Sequence, residues 1–263
     1  MQRVFITGAS SGIGAALARQ YASRGAMLGL LARRKPALER LVATLPDAGR
    51  HRIYAADVTD HAALAAAAND FIGYAGGVEV VIANAGISVG TLTDYAQDLP
   101  AFERVIATNV TALAATFNPF LARMRIQAEA GHGDCRLVGI ASVAGIRGLP
   151  GGGAYSASKA AAISYCESLR VELKRTGIRV VTLVPGYIDT PMTRGNSYAM
   201  PFLMPPERFA ERAVRVIESG ASYRVIPWQM GIVAKLLRLL PNPVYDFAFV
   251  RAPRKARRVY ERP

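Results

Sequence analysis

Short apolar, β-prone runs alternate with amphipathic stretches along the whole of this chain. The apolar runs fall at 3–7, 27–31, 52–56, 78–83, 136–141, 178–184 and 223–227, and stretches with helical spacing lie at 12–24, 35–45, 60–73, 100–128, 154–176 and 206–219. Continuous apolar runs of this length suit strands covered on both faces. Strands alternating with helices predict an α/β fold, a doubly wound parallel sheet of about seven strands with helices on both faces. Gly25 and Gly177 stand where helices should stop. No linker or repeat interrupts the pattern, so residues 1–227 read as one domain and 228–263 as a helical, apolar and basic extension packed on or beside it.

Two clusters in this pattern carry chemistry. The first strand, Arg3 to Thr7, runs directly into Gly8-Ala9-Ser10-Ser11-Gly12-Ile13-Gly14 and then into a helix. Glycines permit a tight strand-to-helix turn and let backbone approach a pyrophosphate, whose charge the helix amino terminus receives. An ordinary βα turn would look similar. The spacing also differs from Gly-x-Gly-x-x-Gly, so the longer-chain fingerprint is not forced onto it. The second cluster is Ser142, at the carboxyl end of an apolar strand, followed by Tyr155 and Lys159. Residues four apart on a helix are neighbours, so the Lys159 ammonium is expected to favour phenolate and to lower a phenol that starts near about 10. Taken alone, such a pair also describes a solvated helix face.

Together, in this order, the residues resemble the short-chain dehydrogenase/reductase family over roughly residues 2 to 227. Thr7 to Gly14 looks like its nucleotide loop, Asp57-Val58 like its adenine contact, Asn84-Ala85-Gly86 like the turn after the fourth strand, and Asn109 like its helix asparagine. Ser142, Tyr155 and Lys159 match its catalytic positions, while Pro185-Gly186, Ile188 and Thr190 match the loop that holds nicotinamide. The resemblance implies a Rossmann-like fold with cofactor contacts from Gly8, Ser10, Ser11, Gly12, Ile13, Gly14, Asp57, Val58, Asn84, Ala85, Gly86, Tyr155, Lys159, Pro185, Gly186, Ile188 and Thr190. It implies that Lys159 holds the nicotinamide ribose and that Asn109 completes a water-linked proton relay. Ala83 and Ala112 depart from the family's usual asparagine and glycine without removing a reacting group.

Which nicotinamide cofactor is favoured turns on charge after the second strand. An NAD site would be expected to offer a carboxylate there, whereas this chain has Arg33-Arg34-Lys35. A guanidinium can clamp a 2′-phosphate, so Arg33 is expected as the principal contact, Arg34 as support, and NADP(H) as the preferred cofactor. A basic surface turn is the plainer alternative.

The formal net charge is +13, and residues 228–263 hold eight Lys or Arg against Asp246 and Glu261. The same tail is apolar over 228–240 and aromatic at Tyr245, Phe247 and Phe249. Three uses fit: a peripheral contact with anionic lipid, a second subunit, or a cover for the pocket. No base-reading element accompanies the charge, so nucleic acid is not expected. Cys135 and Cys166 lack ligand spacing, and His51, His61 and His132 sit on surface-like turns, so no metal site is expected. The chain enters its first strand at once and no apolar run reaches spanning length, which predicts a cytoplasmic protein without leader or membrane helix, at most docked at the membrane surface.

The expected reaction is hydride transfer between nicotinamide and a carbonyl or secondary alcohol, with Tyr155 the proton donor, Ser142 stabilising the same oxygen, and reduction the favoured direction. Residues 192–206, with Tyr198, Met200, Phe202, Leu203 and Met204, read as an apolar lid. They suggest a bulky or hydrophobic carbonyl: lipid-like, steroid-like, aromatic, or a sugar derivative given Gly151-Gly152-Gly153 at the mouth. A cofactor-binding sensor without turnover and a membrane-docked reductase of lipid or polysaccharide synthesis remain alternatives. The family resemblance implies a homodimer or homotetramer paired through the helices at 100–128 and 154–176.

Overall fold

The computed structural model describes residues 1–131, 134–196 and 198–257. Its strands are β1 (Arg3–Thr7), β2 (Met27–Ala32), β3 (Arg52–Ala55), β4 (Val80–Ala83), β5 (Arg136–Ile140), β6 (Arg179–Pro185) and β7 (Tyr223–Ile226). They form one 7-stranded sheet in the order β3-β2-β1-β4-β5-β6-β7, and every pairing is parallel. The helices are α1 (Gly12–Ala22), α2 (Lys35–Ala43), α3 (His61–Ala75), α4 (Leu99–Ile106), α5 (Ala112–Phe117), α6 (Leu121–Glu129), α7 (Gly153–Glu172), α8 (Pro206–Ser219), α9 (Trp228–Leu239) and α10 (Asn242–Phe249). The fold is the Rossmann-like sheet that the alternation predicts.

Because side chains alternate across a strand, each apolar run feeds two cores. Val4 and Ile6 join the layer under α1, α2 and α8, while Phe5 joins the layer under α3, α5, α6 and α7. There Phe5 packs against Phe71 and Phe120 with ring centroids 5.7 Å and 4.9 Å away. The chain leaves β1 toward β2 and β3 on one side and resumes at β4 on the other, so the order reverses between β1 and β4. The crevice beyond their carboxyl ends is where doubly wound sheets take ligands.

The structure corrects several expectations. The helix anticipated at 100–128 is a rod in which α4, a π-turn (Ala107–Thr111), α5, a 3-10 turn (Asn118–Phe120) and α6 follow without a gap. Pro119 accounts for the second irregularity, since its ring cannot donate to the helical ladder and crowds the preceding turn. With the 3-10 turn before it (Ala96–Asp98), this rod spans Ala96–Glu129, is long enough to cross a membrane and has a window of mean hydropathy 1.4, unlike the expectation that no run reaches that length. Its apolar side faces the sheet instead, with Leu113, Phe117, Phe120 and Met124 buried in the Phe5 layer.

His51 is buried rather than on a surface turn. Its Nδ1 accepts the Leu28 N–H at 3.3 Å and its Nε2 lies 3.0 Å from the Pro46 carbonyl, so the ring is neutral with the proton on Nε2. His61 opens α3, and His132 lies outside the described residues. Cys135 and Cys166 are free and buried, and burial pushes both thiols up to about 11. Among the described residues no group of three or more His, Cys, Asp or Glu could hold a metal ion.

The extension after β7 packs on the ligand side of the sheet. Met230, Gly231 and Ala234 bury the inner face of α9. Arg147, in the loop after β5, donates to the carbonyls of Leu237, Arg238 and Leu240 at 2.8, 3.1 and 2.9 Å. These are orphan carbonyls at the carboxyl end of α9, where a cation is favoured. The same guanidinium lies 4.0 Å from the Tyr245 ring centroid, and the Tyr245 hydroxyl donates to Gly148 O at 2.6 Å.

Candidate active site

A cleft of about 910 Å³ opens at the switch point between β1 and β4. One wall is the glycine loop. Gly8 has φ +68°, and a Cβ there would lie 2.8 Å from Ala85 Cα, while a Cβ on Gly14 would run into the Gly8 carbonyl. Only glycine lets the loop fold this tightly against the turn after β4. Asn84 pins the two together, donating from Nδ2 to Thr7 O and Gly8 O at 2.9 and 3.2 Å. The Thr7 hydroxyl accepts from the N–H groups of Asn84 and Ala85 at 3.1 and 3.2 Å. Ser11 is the N-cap of α1 yet makes no side-chain cap, so the amino end of α1 offers its N–H groups to the cleft. Gly8, Ser10, Ser11, Gly12 and Ile13 line the cleft, and Gly14 sits behind them.

The far wall carries Arg33 and Arg34. Arg33 pairs with Asp57 at 3.6 Å, and Arg34 donates to the hydroxyls of Ser10 and Ser11 at 3.1 and 3.0 Å. Arg34, expected as support, is thus the arginine placed on the glycine loop. Burial pushes the Asp57 carboxyl up, but hydrogen bonds from the Thr59 N–H and hydroxyl and the charges of Arg33 and Arg104 outweigh it, holding the group below the usual carboxylate range. Asp57, Val58, Asn84, Ala85, Gly86, Pro185, Gly186, Ile188 and Thr190 all line the same cleft.

Ser142, Tyr155 and Lys159 converge at its inner end. Ser142 ends the segment after β5, and its Oγ accepts the Ala144 N–H at 3.2 Å and hydrogen-bonds the Tyr155 phenol. The Lys159 ammonium donates to Ile140 O at 2.8 Å and stands 5.9 Å from the Tyr155 ring centroid. The ionisation differs from the expectation. Burial raises the Tyr155 phenol above its ordinary value, with Ser142 opposing. Burial also lowers Lys159 to about 8. Desolvation dominates at both groups, opposed at Tyr155 by Ser142 and at Lys159 by Cys166, and the amine is held on a carbonyl rather than on the phenol.

Asn109 sits on the π-turn, a feature that recurs at functional sites, and is 1 % exposed. Its amide donates to Ile87 O and Ser158 Oγ at 2.9 and 2.9 Å and accepts the Ile87 N–H at 2.9 Å. The side chain therefore braces the β4 turn against α7. In the segment expected to form a lid, Met204 is buried, Phe202 and Leu203 are exposed, and Tyr198 packs edge-on to Tyr187 with centroids 6.3 Å apart. Sequence reasoning missed Thr193, whose hydroxyl donates to Ile188 O at 2.6 Å and accepts the Thr190 N–H at 3.0 Å. A threonine three residues after another, just past a Pro-Gly turn, was the available signal.

The sheet, the glycine cradle and the open helix amino terminus define a dinucleotide-binding α/β protein. Comparison with known proteins narrows this class. Residues 2–200 match the family model of short chain dehydrogenases. An uncharacterized oxidoreductase of Myxococcus xanthus is 40% identical over 247 residues, covering 92% of this chain and 94% of its own length. Among solved structures, the 3-ketoacyl-(acyl-carrier-protein) reductase of Brucella melitensis complexed with NADH has a TM-score of 0.77 at 26% identity, covering 86% of this chain and 96% of its own. An actinorhodin polyketide ketoreductase with NADPH has a TM-score of 0.75 at 26% identity, covering 86% and 95%. The chain belongs to the short-chain dehydrogenase family and is an NAD(P)-dependent oxidoreductase.

Proposed function

We propose that this chain is an NADP(H)-preferring reductase of bulky, apolar carbonyl compounds, with Ser142, Tyr155 and Lys159 as its reacting set. The observation that carries the cofactor preference is the pair of guanidiniums after β2, with Arg34 set on Ser10 and Ser11 at the mouth of the phosphate cradle. Structural neighbours hold NADH in one case and NADPH in another, so the arginines decide the reading. Nicotinamide, when bound, supplies the hydride. Tyr155, kept protonated by burial, donates to the developing alkoxide, and the Ser142 hydroxyl stabilises the same oxygen. Lys159 holds the ribose and the local positive charge, and Asn109 keeps the β4 turn and α7 in register.

The test is calorimetric titration with NADPH and NADH on wild type, Arg33→Ala and Arg34→Ala. Wild type is expected to favour NADPH by roughly tenfold or more, since a lost charge-assisted bidentate contact costs about 1.5–3 kcal/mol. The preference should fall in both variants. Equal affinity for the two nucleotides in wild type refutes the preference.

We further propose that the outer face of α9 and α10 docks on anionic lipid. Trp228, Leu236, Leu239 and Phe247 are 62%, 60%, 79% and 88% exposed, and Lys235 and Arg238 lie among them in sequence. A two-fold contact between copies would bring two basic patches together, whereas anionic headgroups would neutralise them. Pairing of two copies is assigned instead to the α4–α6 rod and α7, where Leu99, Phe102, Ile126 and Val171 are exposed.

A further inference from the structure

The last described stretch of the chain, residues 251–257, returns across the catalytic mouth, and the body is shaped to receive it. Gly90 N donates to Ala256 O at 3.0 Å, and Thr91 N donates to Gly151 O at 3.1 Å, so three passages of chain lie side by side. A Cβ on Gly90 would run into the Lys255 carbonyl, and one on Gly151, at φ +73°, would lie 2.8 Å from Arg254 Cβ. Both glycines leave room for this strap and for nothing larger. Its end is latched: Arg257 donates from Nε and Nη2 to Asp98 Oδ2 and Oδ1 at 2.8 and 3.0 Å and stacks 3.6 Å from the Tyr95 ring centroid. Asp98 is 3% exposed and also accepts the Leu92 N–H at 2.9 Å. A buried carboxylate held by a forked guanidinium fixes position as well as energy.

The latch places Lys255 over the ring of Tyr155. Its ammonium lies 5.9 Å from the Tyr155 ring centroid, the same separation as Lys159. One cation therefore comes from the phenol's own helix and the other from the far end of the chain. Lys255 donates to Ser88 Oγ at 2.8 Å. That bond uses the oxygen's acceptor side and leaves the Ser88 O–H as a donor beside the ammonium. The hydride-transfer mechanism uses Lys159 and assigns nothing to Lys255 or Ser88.

Resting on the reading of Tyr155 as proton donor, we propose that the strap is a wall of the substrate site, where Lys255 and the Ser88 hydroxyl bind an anionic group of the substrate. The substrate is then an amphiphilic carbonyl compound, with an apolar body under the lid and a carboxylate or phosphate near the reacting carbon. Lys255 is a specificity-determining residue, and Arg257 and Asp98 are positioning residues that act through it.

The experiment is calorimetric titration of the full chain with 4-phenylbutanoate and with its neutral isostere 4-phenylbutanamide, on wild type, Lys255→Met, Lys255→Arg and Gly90→Ala. Wild type should prefer the carboxylate by roughly tenfold, the worth of one charge-assisted hydrogen bond. Lys255→Met and Gly90→Ala should erase that preference and Lys255→Arg should retain it, with NADPH affinity unchanged in all three variants. Equal binding of the two ligands by wild type, no binding of either, or a preference that survives Lys255→Met overturns the proposal. Failure of the underlying reading shows separately, as carbonyl turnover retained in Tyr155→Phe.

Discussion

At the scale of single residues, the order in which two groups ionise sets the pH behaviour. Burial lowers Lys159 to about 8 and raises Tyr155, so as pH rises the amine loses its proton before the phenol does. Because kcat/KM reports the free enzyme, its alkaline limb for carbonyl reduction should fall through about pH 8 and belong to Lys159. Lys159→Arg, which keeps its charge, should push that limb beyond pH 10 in whatever activity remains. A wild-type profile flat to pH 10 would remove Lys159 from this role. Tyr155→Phe should cost about 10²–10⁴ in kcat while leaving NADPH affinity within about twofold, measured by steady-state kinetics and titration. His51 gives a stability counterpart. Desolvation lowers its pKa, with the Pro46 carbonyl opposing. The unfolded chain then binds the proton more readily, so stability is complete above the free value of about 6.5 and declines as pH falls below it. Thermal unfolding should show a drop in Tm between pH 7.5 and 5.5 that is smaller in His51→Gln, and equal drops would refute the assignment. The sequence made Tyr155 and Lys159 legible because helix spacing fixes which side chains meet, and Ser142 because it follows an apolar strand at its carboxyl end. It hid the ionisation order because desolvation depends on what the rest of the fold lays over the pair.

At the scale of elements, apolar runs and turn residues were sufficient for the strands, since the five inner runs, β1, β2, β4, β5 and β6, are covered on both faces, and the edge strands β3 and β7 are bounded by turn residues. What they concealed is where a locally regular pattern is overridden from a distance. The π-turn around Asn109 is invisible in an apolar helical pattern, and the partners of its amide, Ile87 and Ser158, lie far away in sequence. The return of residues 251–257 is equally hidden, since Arg257 finds its partner at Asp98. Arg147 is the joint between these levels: one guanidinium holds three carbonyls of the α9 terminus and the face of Tyr245. Removing it should free the extension without opening the sheet. Arg147→Ala is expected to cost about 1–3 kcal/mol, to raise hydrogen exchange across residues 228–257, and to raise KM for carbonyl substrates while NADPH affinity holds. Unchanged exchange in that segment would show that the clamp is not what seats it.

At the scale of the whole molecule, apolar side chains are exposed on two faces, and the proposed partners differ in charge. The face on the α4–α6 rod and α7 exposes Leu99, Phe102, Ile126 and Val171, and light scattering should report a mass at least twice the 28.1 kDa of one chain; a 28 kDa species alone would refute pairing. The face on α9 and α10 lies in a tail with eight cations against two acids, which a second copy would repel and an anionic surface would attract. Vesicle sedimentation distinguishes them. Binding should be strong with anionic vesicles, weak with neutral ones, and reduced by salt, because exposed charges are screened beyond about 10 Å at 0.1 M. Each basic side chain at a lipid surface contributes about 1 kcal/mol. The pair Lys235→Ala and Arg238→Ala should therefore weaken partitioning by roughly thirtyfold, and Leu236→Glu should abolish it while leaving the oligomeric mass unchanged. If Leu236→Glu instead halves that mass and leaves sedimentation unaltered, the α9 face joins two copies of the chain and the lipid reading falls. If anionic and neutral vesicles sediment the protein equally, the cations serve no surface, and the exposed leucines become the outer wall of a mouth whose substrates arrive from water.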